Sequence, residues 1–280
     1  MTNKELELKA EEVRTSIIEM LLEAGSGHSA GSLGMADIMT TLYFEILNIN
    51  PKKPDWLERD RLVLSCGHIC PVLYAAMAHR GFFPLESLKT LRQFGSPLQG
   101  HPHNLDLPGV ETSSGPLGQG LSQAIGIALA GRLDHAKWQV YAILSDGEHD
   151  EGQTWEAILY GAKEKLGNLT VIVDRNNIQI DGLTEEVLPL GSLKDKYQAF
   201  GWYVLEIDGH NFNEILSALR HAKAVIDQPV VIIAKTIPGK GVDFMENNFH
   251  WHGQAPDAEQ AKVALRELRT LRGQILSEHD

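Results

Sequence analysis

Apolar residues recur at helical spacing over the first two dozen positions. Leu6, Val13, Ile17, Met20, Leu21 and Leu22 fall on one face, and Gly25 stops the run. The spacing predicts a helix over 3–24. Residues 34–47 and 68–80 read as further helices, with Met35 and Met39 in the core. The stretch 81–116 is rich in Pro, Gly and His and reads mostly as loop, apart from a helix near 84–93. Residues 117–134 read as a helix of small residues able to pack closely against backbone. From Trp138 the pattern changes. Short apolar runs at 138–144, 169–173, 202–207 and 230–234 alternate with helical stretches at 151–165, 192–200 and 211–226. A last helix, 257–278, carries Val263, Leu265, Leu268, Leu271 and Ile275 as one stripe, which either closes the core or meets a partner.

Strands alternating with helices predict an α/β fold, a mostly parallel sheet with helices on both faces, as one domain over 1–280. In such a sheet, ligands collect at the carboxyl ends of the strands. Two of those ends are polar and contain glycine. Ser145-Asp146-Gly147-Glu148 follows the run at 138–144, and the segment from Asp174 through Asn176, Ile178 and Gly182 follows the run at 169–173. If the two strands are neighbours, both loops open on one rim.

Composition narrows the partners. The 280 residues suffice to bury a core without staples. With 25 basic and 37 acidic side chains the net charge is −12. That excludes nucleic acid and an anionic membrane surface as partners, but not phosphorylated ligands held by backbone N–H groups, a metal and a few basic side chains. Cys66 and Cys70 are the two cysteines. They make no disulfide framework and point to a reduced compartment. His68 lies between them, yet without a second cysteine pair a zinc site is not expected. The polar start resembles no signal peptide and no run of 18 apolar residues exists, so the chain reads as cytoplasmic, with no membrane contact.

The candidate chemistry sits at the two polar strand ends. A carboxylate at Asp146, an amide oxygen at Asn176 and a nearby backbone carbonyl form a hard oxygen set suited to Mg²⁺ or Ca²⁺. Taken singly, Asp146 serves equally well as a helix cap and Asn176 as a turn residue. Together the two loops resemble the thiamine diphosphate signature, with Ser145 in place of its usual first glycine. Further blocks resemble transketolase: Gly27-His28-Ser29-Ala30-Gly31, Ser65-Cys66-Gly67-His68, Gly100-His101-Pro102, the string Glu111-Thr112-Ser113-Ser114-Gly115-Pro116-Leu117-Gly118-Gln119-Gly120, Glu151-Gly152 with Trp155-Glu156-Ala157, Lys235-Thr236-Ile237 and His252-Gly253. The resemblance covers about residues 14–256 and is to the N-terminal, diphosphate-binding section of that family.

The resemblance implies a thiamine-diphosphate- and Mg²⁺-dependent ketol transfer, with Ca²⁺ or Mn²⁺ as substitute ions. It places Asp146, Asn176 and the Ile178 carbonyl on the metal. Gly147, Asn176, Lys235 and His252 fall near the diphosphate, and His68, Gly115, Pro116 and Leu117 against the cofactor's rings. His28, His101 and His252 match the histidines that handle sugar hydroxyls and protons. The other histidines carry no such match. His79, His135, His221 and His279 read as helix-surface residues and His103, His149, His210 and His250 as loop residues; the two cysteines read as packing near the site. In this family the glutamate that activates the pyrimidine belongs to a second, C-terminal domain that this sequence lacks. The expectation is therefore a split enzyme, in which a separate chain carries that glutamate and much of the sugar-phosphate grip, assembled as an α2β2 heterotetramer. The alternatives are the α chain of another split thiamine enzyme, a 2-oxo acid dehydrogenase or decarboxylase, and a non-catalytic regulatory homologue. Donor and acceptor sugar phosphates are not legible; pentose phosphates are the default and a specialised catabolic sugar is compatible.

Overall fold

In the computed structural model, which describes residues 1–278, the helices are α1 (Asn3–Ala24), α2 (Ala30–Gly34), α3 (Ala36–Thr41), α4 (Cys70–Arg80), α5 (Gly120–Leu133), α6 (Gly152–Lys163), α7 (Thr184–Val187), α8 (Leu193–Ala199), α9 (Phe212–Ala224) and α10 (Ala258–Glu278). The strands are β1 (Arg61–Leu64), β2 (Val140–Ser145), β3 (Leu169–Arg175), β4 (Ile178–Gln179), β5 (Gly182–Leu183), β6 (Tyr203–Asp208) and β7 (Val230–Lys235). Five of them form one parallel sheet in the order β1-β2-β3-β7-β6, and β4 and β5 form a small antiparallel hairpin.

The side chains of each central strand alternate between two cores, as the pleat requires. Tyr141, Ile143, Ile172 and Ile232 face a core that includes α1, α3, α4 and α9. Val140, Ala142, Leu144, Val171, Val173 and Ile233 face the core under α5, α6 and α8. Both faces are therefore covered, and the predicted α/β architecture holds. β2 and β3 are neighbours, with Ser145 opposite Asp174, so their polar ends do share a rim.

α1 begins with a capping box in which the Thr2 hydroxyl accepts from the Glu5 N–H and the Glu5 carboxylate accepts from the Thr2 N–H at 2.7 Å. Gly25 ends it in the left-handed region, φ 62°. The stripe on α10 turns inward against α1, with Ala261, Ala264, Leu268 and Ile275 buried and Val263, Leu265 and Leu271 half-buried. Core closure is thus its role in this chain.

Three expectations change. The helix over 34–47 is divided into α2, α3 and a π turn (Leu42–Ile46). Gly34 sits at the first division, where a Cβ would lie 2.9 Å from the Ile237 carbonyl oxygen, so this bend is set by a distant segment. The helix near 84–93 is a six-residue 3₁₀ turn, Leu85–Thr90. β1 was not legible, because four residues, RLVL, between charged and glycine-containing neighbours carry too few periods to read. The expectation for His279 lies outside the described residues.

A buried ionic group ties the sheet's far end to the N-terminal helices. Arg14 donates to Glu11 at 2.7 Å and to Asp37 at 2.6 Å, and all three are nearly inaccessible. His210 Nδ1 meets the same Asp37 oxygen at 2.7 Å, and His210 Nε2 accepts from the Ile237 N–H at 2.8 Å. His210, expected as an unassigned loop residue, therefore anchors the segment after β7 that leads to His252.

Candidate active site

Asp146 directly follows β2 and is wholly buried. Its Oδ1 accepts from the Gly147 N–H at 2.7 Å; its Oδ2 accepts from the Asn177 N–H at 2.6 Å and from Arg175 at 2.8 Å. Burial still pushes its pKa up against these partners, so more positive charge would be well received there. The Asn176 amide is oriented by donating to Asp174 at 2.7 Å, and its oxygen accepts from the Ile178 N–H at 3.0 Å. Asn177 reaches the left-handed region, φ 58°, a conformation asparagine tolerates, and this turns the chain into the β4–β5 hairpin. A cavity opens on this rim between Ser145, Gly147, Asn176 and Ile178 on one side and His68 and His252 on the other.

Four imidazoles converge beyond it. The His28 ring centroid lies 5.0 Å from His68, 6.5 Å from His101 and 5.6 Å from His252, and His68 lies 5.1 Å from His252. They come from four separate loops: the turn before α2, the 3₁₀ turn before α4, the loop 91–119 and the segment after β7. Gly253 lies against His28 and Gly115 against His101, each 3.5–3.7 Å from ring atoms as measured from an added Cβ. The Gly115-Pro116-Leu117 loop is therefore placed beside the histidines, and Leu117 lines the cavity. Among the described residues no three of His, Cys, Asp or Glu come together as a metal cage.

Burial lowers the proton affinity of all four rings, which are therefore neutral at pH 7. Burial pushes His28 down to about 4, with His252, His101 and Arg92 adding to the fall. His68 falls well below its ordinary value, and His101 and His252 fall as well, in each case chiefly through burial. Neutral imidazoles can both accept and donate, which suits proton exchange with sugar hydroxyls. His28 Nδ1 is buried and has no hydrogen-bond partner among the described residues, so it is available to a ligand.

Some supporting residues had no sequence signal of their own. Glu148 is fully buried and gathers three loops: it accepts from the Ser65 hydroxyl, from the Gly118 N–H at 2.7 Å and from the Ser145 N–H at 3.3 Å. Ser65 in turn accepts from the Gly120 N–H at 3.0 Å. His149, expected as an unassigned loop residue, is buried; its Nδ1 donates to the Ser145 and Asp146 carbonyls at 3.0 and 3.1 Å, and its Nε2 accepts from the Tyr197 hydroxyl at 2.8 Å. His79 is half-buried against the Ser16 hydroxyl at 3.0 Å rather than on the surface. Lys235 ends β7 opposite Arg175, exposed on the same rim, and lines no part of the cavity. Cys66 and Cys70 are free, buried thiols, and Cys70 donates to the Gly100 carbonyl at 3.2 Å.

The close approach at Gly120 yields a stability prediction. A Cβ there would lie 2.4 Å from both Cβ and Oγ of Ser65. Gly120→Ala is expected to cost roughly 2–3 kcal/mol through overpacking, read as a lower thermal midpoint. The double change Gly120→Ala with Ser65→Gly should recover part of that loss. A single variant as stable as the parent would show that this contact is not tight.

The parallel α/β frame, the hard oxygen rim and the imidazole cluster at the strand ends together define a thiamine-diphosphate-binding domain, and the family model that matches residues 6–270 is the transketolase thiamine diphosphate binding domain. The chain belongs to the transketolase family. It is 44% identical over 264 residues to the 6-deoxy-6-sulfo-D-fructose transketolase subunit SqwG of Clostridium sp. (strain MSTE9), covering 94% of this chain and 96% of that one. It is 41% identical over 263 residues to an apulose-4-phosphate transketolase subunit from Phocaeicola vulgatus, covering 94% and 93%. Among solved structures, the transketolase of Campylobacter jejuni superposes with a TM-score of 0.86 at 32% identity, covering 99% of this chain and 48% of that one. The chain thus spans about half the length of the solved transketolases and nearly the whole length of the subunits.

Proposed function

We propose that this chain is the diphosphate-binding subunit of a two-chain transketolase that moves a two-carbon ketol unit from a ketose phosphate to an aldose phosphate, with thiamine diphosphate and Mg²⁺. The observation that carries the reading is the meeting of His28, His68, His101 and His252 beside the Asp146–Asn176–Ile178 rim. The residues fit the cofactor and ion: the rim offers hard oxygens, Asp146 is a buried carboxylate in need of positive charge, and His28 Nδ1 is unpartnered.

In this reading Asp146, Asn176 and the Ile178 carbonyl hold Mg²⁺, with Gly147 and His252 beside the diphosphate and Lys235 adding positive potential to the rim. His68 and the Gly115-Pro116-Leu117 loop press against the rings. The bound cofactor supplies an electron sink for breaking the C2–C3 bond of a ketose. The chain's own part is proton handling and orientation. A neutral imidazole among His28, His101 and His252 takes the C3 hydroxyl proton as that bond breaks. The same group, then protonated, returns a proton to the acceptor oxygen when the new bond closes. Glu148, through Ser65 and Gly118, keeps the ring-contacting loop in register with β1 and β2.

In this reading the site is shared between chains, and an α2β2 heterotetramer is the symmetric assembly that completes it. Support for a second chain at the site comes from Ile180, which lines the cavity at the tip of the β4–β5 hairpin and is 72% exposed. The subunit-length relatives agree with that. The partner would bring the pyrimidine-activating glutamate. The test is ketol transfer by the purified chain, with and without the partner, in thiamine diphosphate and Mg²⁺. Activity only with both chains is expected. Robust transfer by this chain alone would overturn the split site, and failure of the pair to bind the cofactor would favour a regulatory homologue.

A further inference from the structure

Ser145 stands where the diphosphate signature usually has its first glycine. The position makes no use of glycine's conformational freedom. Ser145 is the last residue of β2, and its backbone lies outside the left-handed region. The serine therefore adds a side chain to the site without backbone strain.

The pleat decides where that side chain goes. Tyr141 and Ile143 face the core that includes α1, α3 and α4, and Ser145, two residues on, shares their face. Ser145 lines the cavity there together with Gly31 and His68. Its main-chain groups are used within the turn, the N–H donating to Glu148 at 3.3 Å and the carbonyl accepting from His149 at 3.0 Å. Its hydroxyl has no hydrogen-bond partner among the described residues.

Neighbouring donors on the rim are engaged. The Gly147 N–H donates to Asp146 at 2.7 Å, the Asn176 amide to Asp174 at 2.7 Å, the Ile178 N–H to the Asn176 oxygen at 3.0 Å and the Gln179 amide to Asp150 at 3.4 Å. Asp146 follows Ser145 in sequence and Asp174 lies opposite it in the sheet, in a chain of net charge −12. Lys235 does not line the cavity. An anionic ligand at this rim meets carboxylates and donors already bound to them, so an uncommitted hydroxyl matters there.

Resting on the cofactor reading above, we propose that the Ser145 hydroxyl is a further cofactor-binding group, donating to a diphosphate oxygen a hydrogen bond that glycine at this position cannot make. A bond of this kind, to a charged acceptor, is stronger than one between neutral groups. It tightens this chain's hold on the diphosphate relative to the same site with glycine.

Calorimetric titration of thiamine diphosphate with Mg²⁺ into the two-chain assembly tests this. Ser145→Ala and Ser145→Gly should each weaken binding by about 10–100-fold, the range for a hydrogen bond to a charged group. Inorganic diphosphate with Mg²⁺, used as a competitor, should lose affinity by the same factor. Thermal midpoints without cofactor should match the parent's. Unchanged affinity in Ser145→Ala would overturn the proposal. So would tighter binding by Ser145→Gly, which would make the side chain an obstruction, or a competitor constant that stays put, which would move the contact away from the diphosphate. A parent assembly that binds no thiamine diphosphate refutes both the contact and the cofactor reading. One that binds it but transfers no ketol unit refutes the transketolase reading alone, and the titration still decides Ser145.

Discussion

Asp146→Asn is expected to weaken Mg²⁺-dependent thiamine diphosphate binding by on the order of a hundredfold or more, since removing even an outer partner of a metal ligand costs 10–100-fold. The substitution keeps the side chain's size, but its one oxygen leaves either the Gly147 or the Asn177 N–H without its acceptor, and it removes the charge that faces Arg175. Arg175 retains Glu185 as a partner, so the fold should survive with a loss of about 1–3 kcal/mol. Calorimetric titration of thiamine diphosphate with Mg²⁺ into the two-chain assembly reads the effect. Unchanged affinity, with the thermal midpoint lowered as expected, would mean that the cation is not held at this rim.

His28→Ala is expected to lower kcat by 10²–10⁴-fold, the range for removing a general acid–base group. His28 is the hub of the cluster, since the other three rings all lie within 6.5 Å of it. The same variant has a pH signature. In the folded chain His28 is pushed down to about 4, whereas in the unfolded chain it titrates near its ordinary 6.5. The unfolded state therefore binds more protons between those values. The stability contributed by the neutral ring is fully present above pH 6.5 and is lost as the pH falls toward 4. His68, His101 and His252, lowered in the same sense, act alike. The parent chain should lose thermal stability steeply over that window, and His28→Ala should flatten the slope. A variant with full activity in the two-chain enzyme would remove His28 from the chemistry, and an equally steep slope would mean that its ring is not desolvated.

Much of the fold was legible because buried parallel strands are short and uniformly apolar and their covering helices are periodic. The runs at 138–144, 169–173, 202–207 and 230–234 became β2, β3, β6 and β7 within one or two residues. β1 escaped because it is four residues long, and the break between α2 and α3 escaped because its cause, the Ile237 carbonyl against Gly34, lies far along the chain. The histidines that converge were legible through the glycine-containing blocks around them. Glu148 and Arg175 were not. A glutamate after a glycine or an arginine at a strand end looks like any solvated charge until a fold buries or pairs it.

The sequence by itself therefore determined the α/β class, the rim that the two polar loops occupy, the set of imidazoles and the family. These depend on local periodicity and on residue types at short spacing. Only the tertiary structure decided that Ser145 and Asp174 stand side by side, that four loops bring their rings within 5–6.5 Å, and that His149 and His210 serve as buried anchors. It also decided that α10 closes on α1. Those properties belong to contacts between segments far apart in the chain. Burial and pairing, which set the charge state and availability of each group, come into being only when those segments meet.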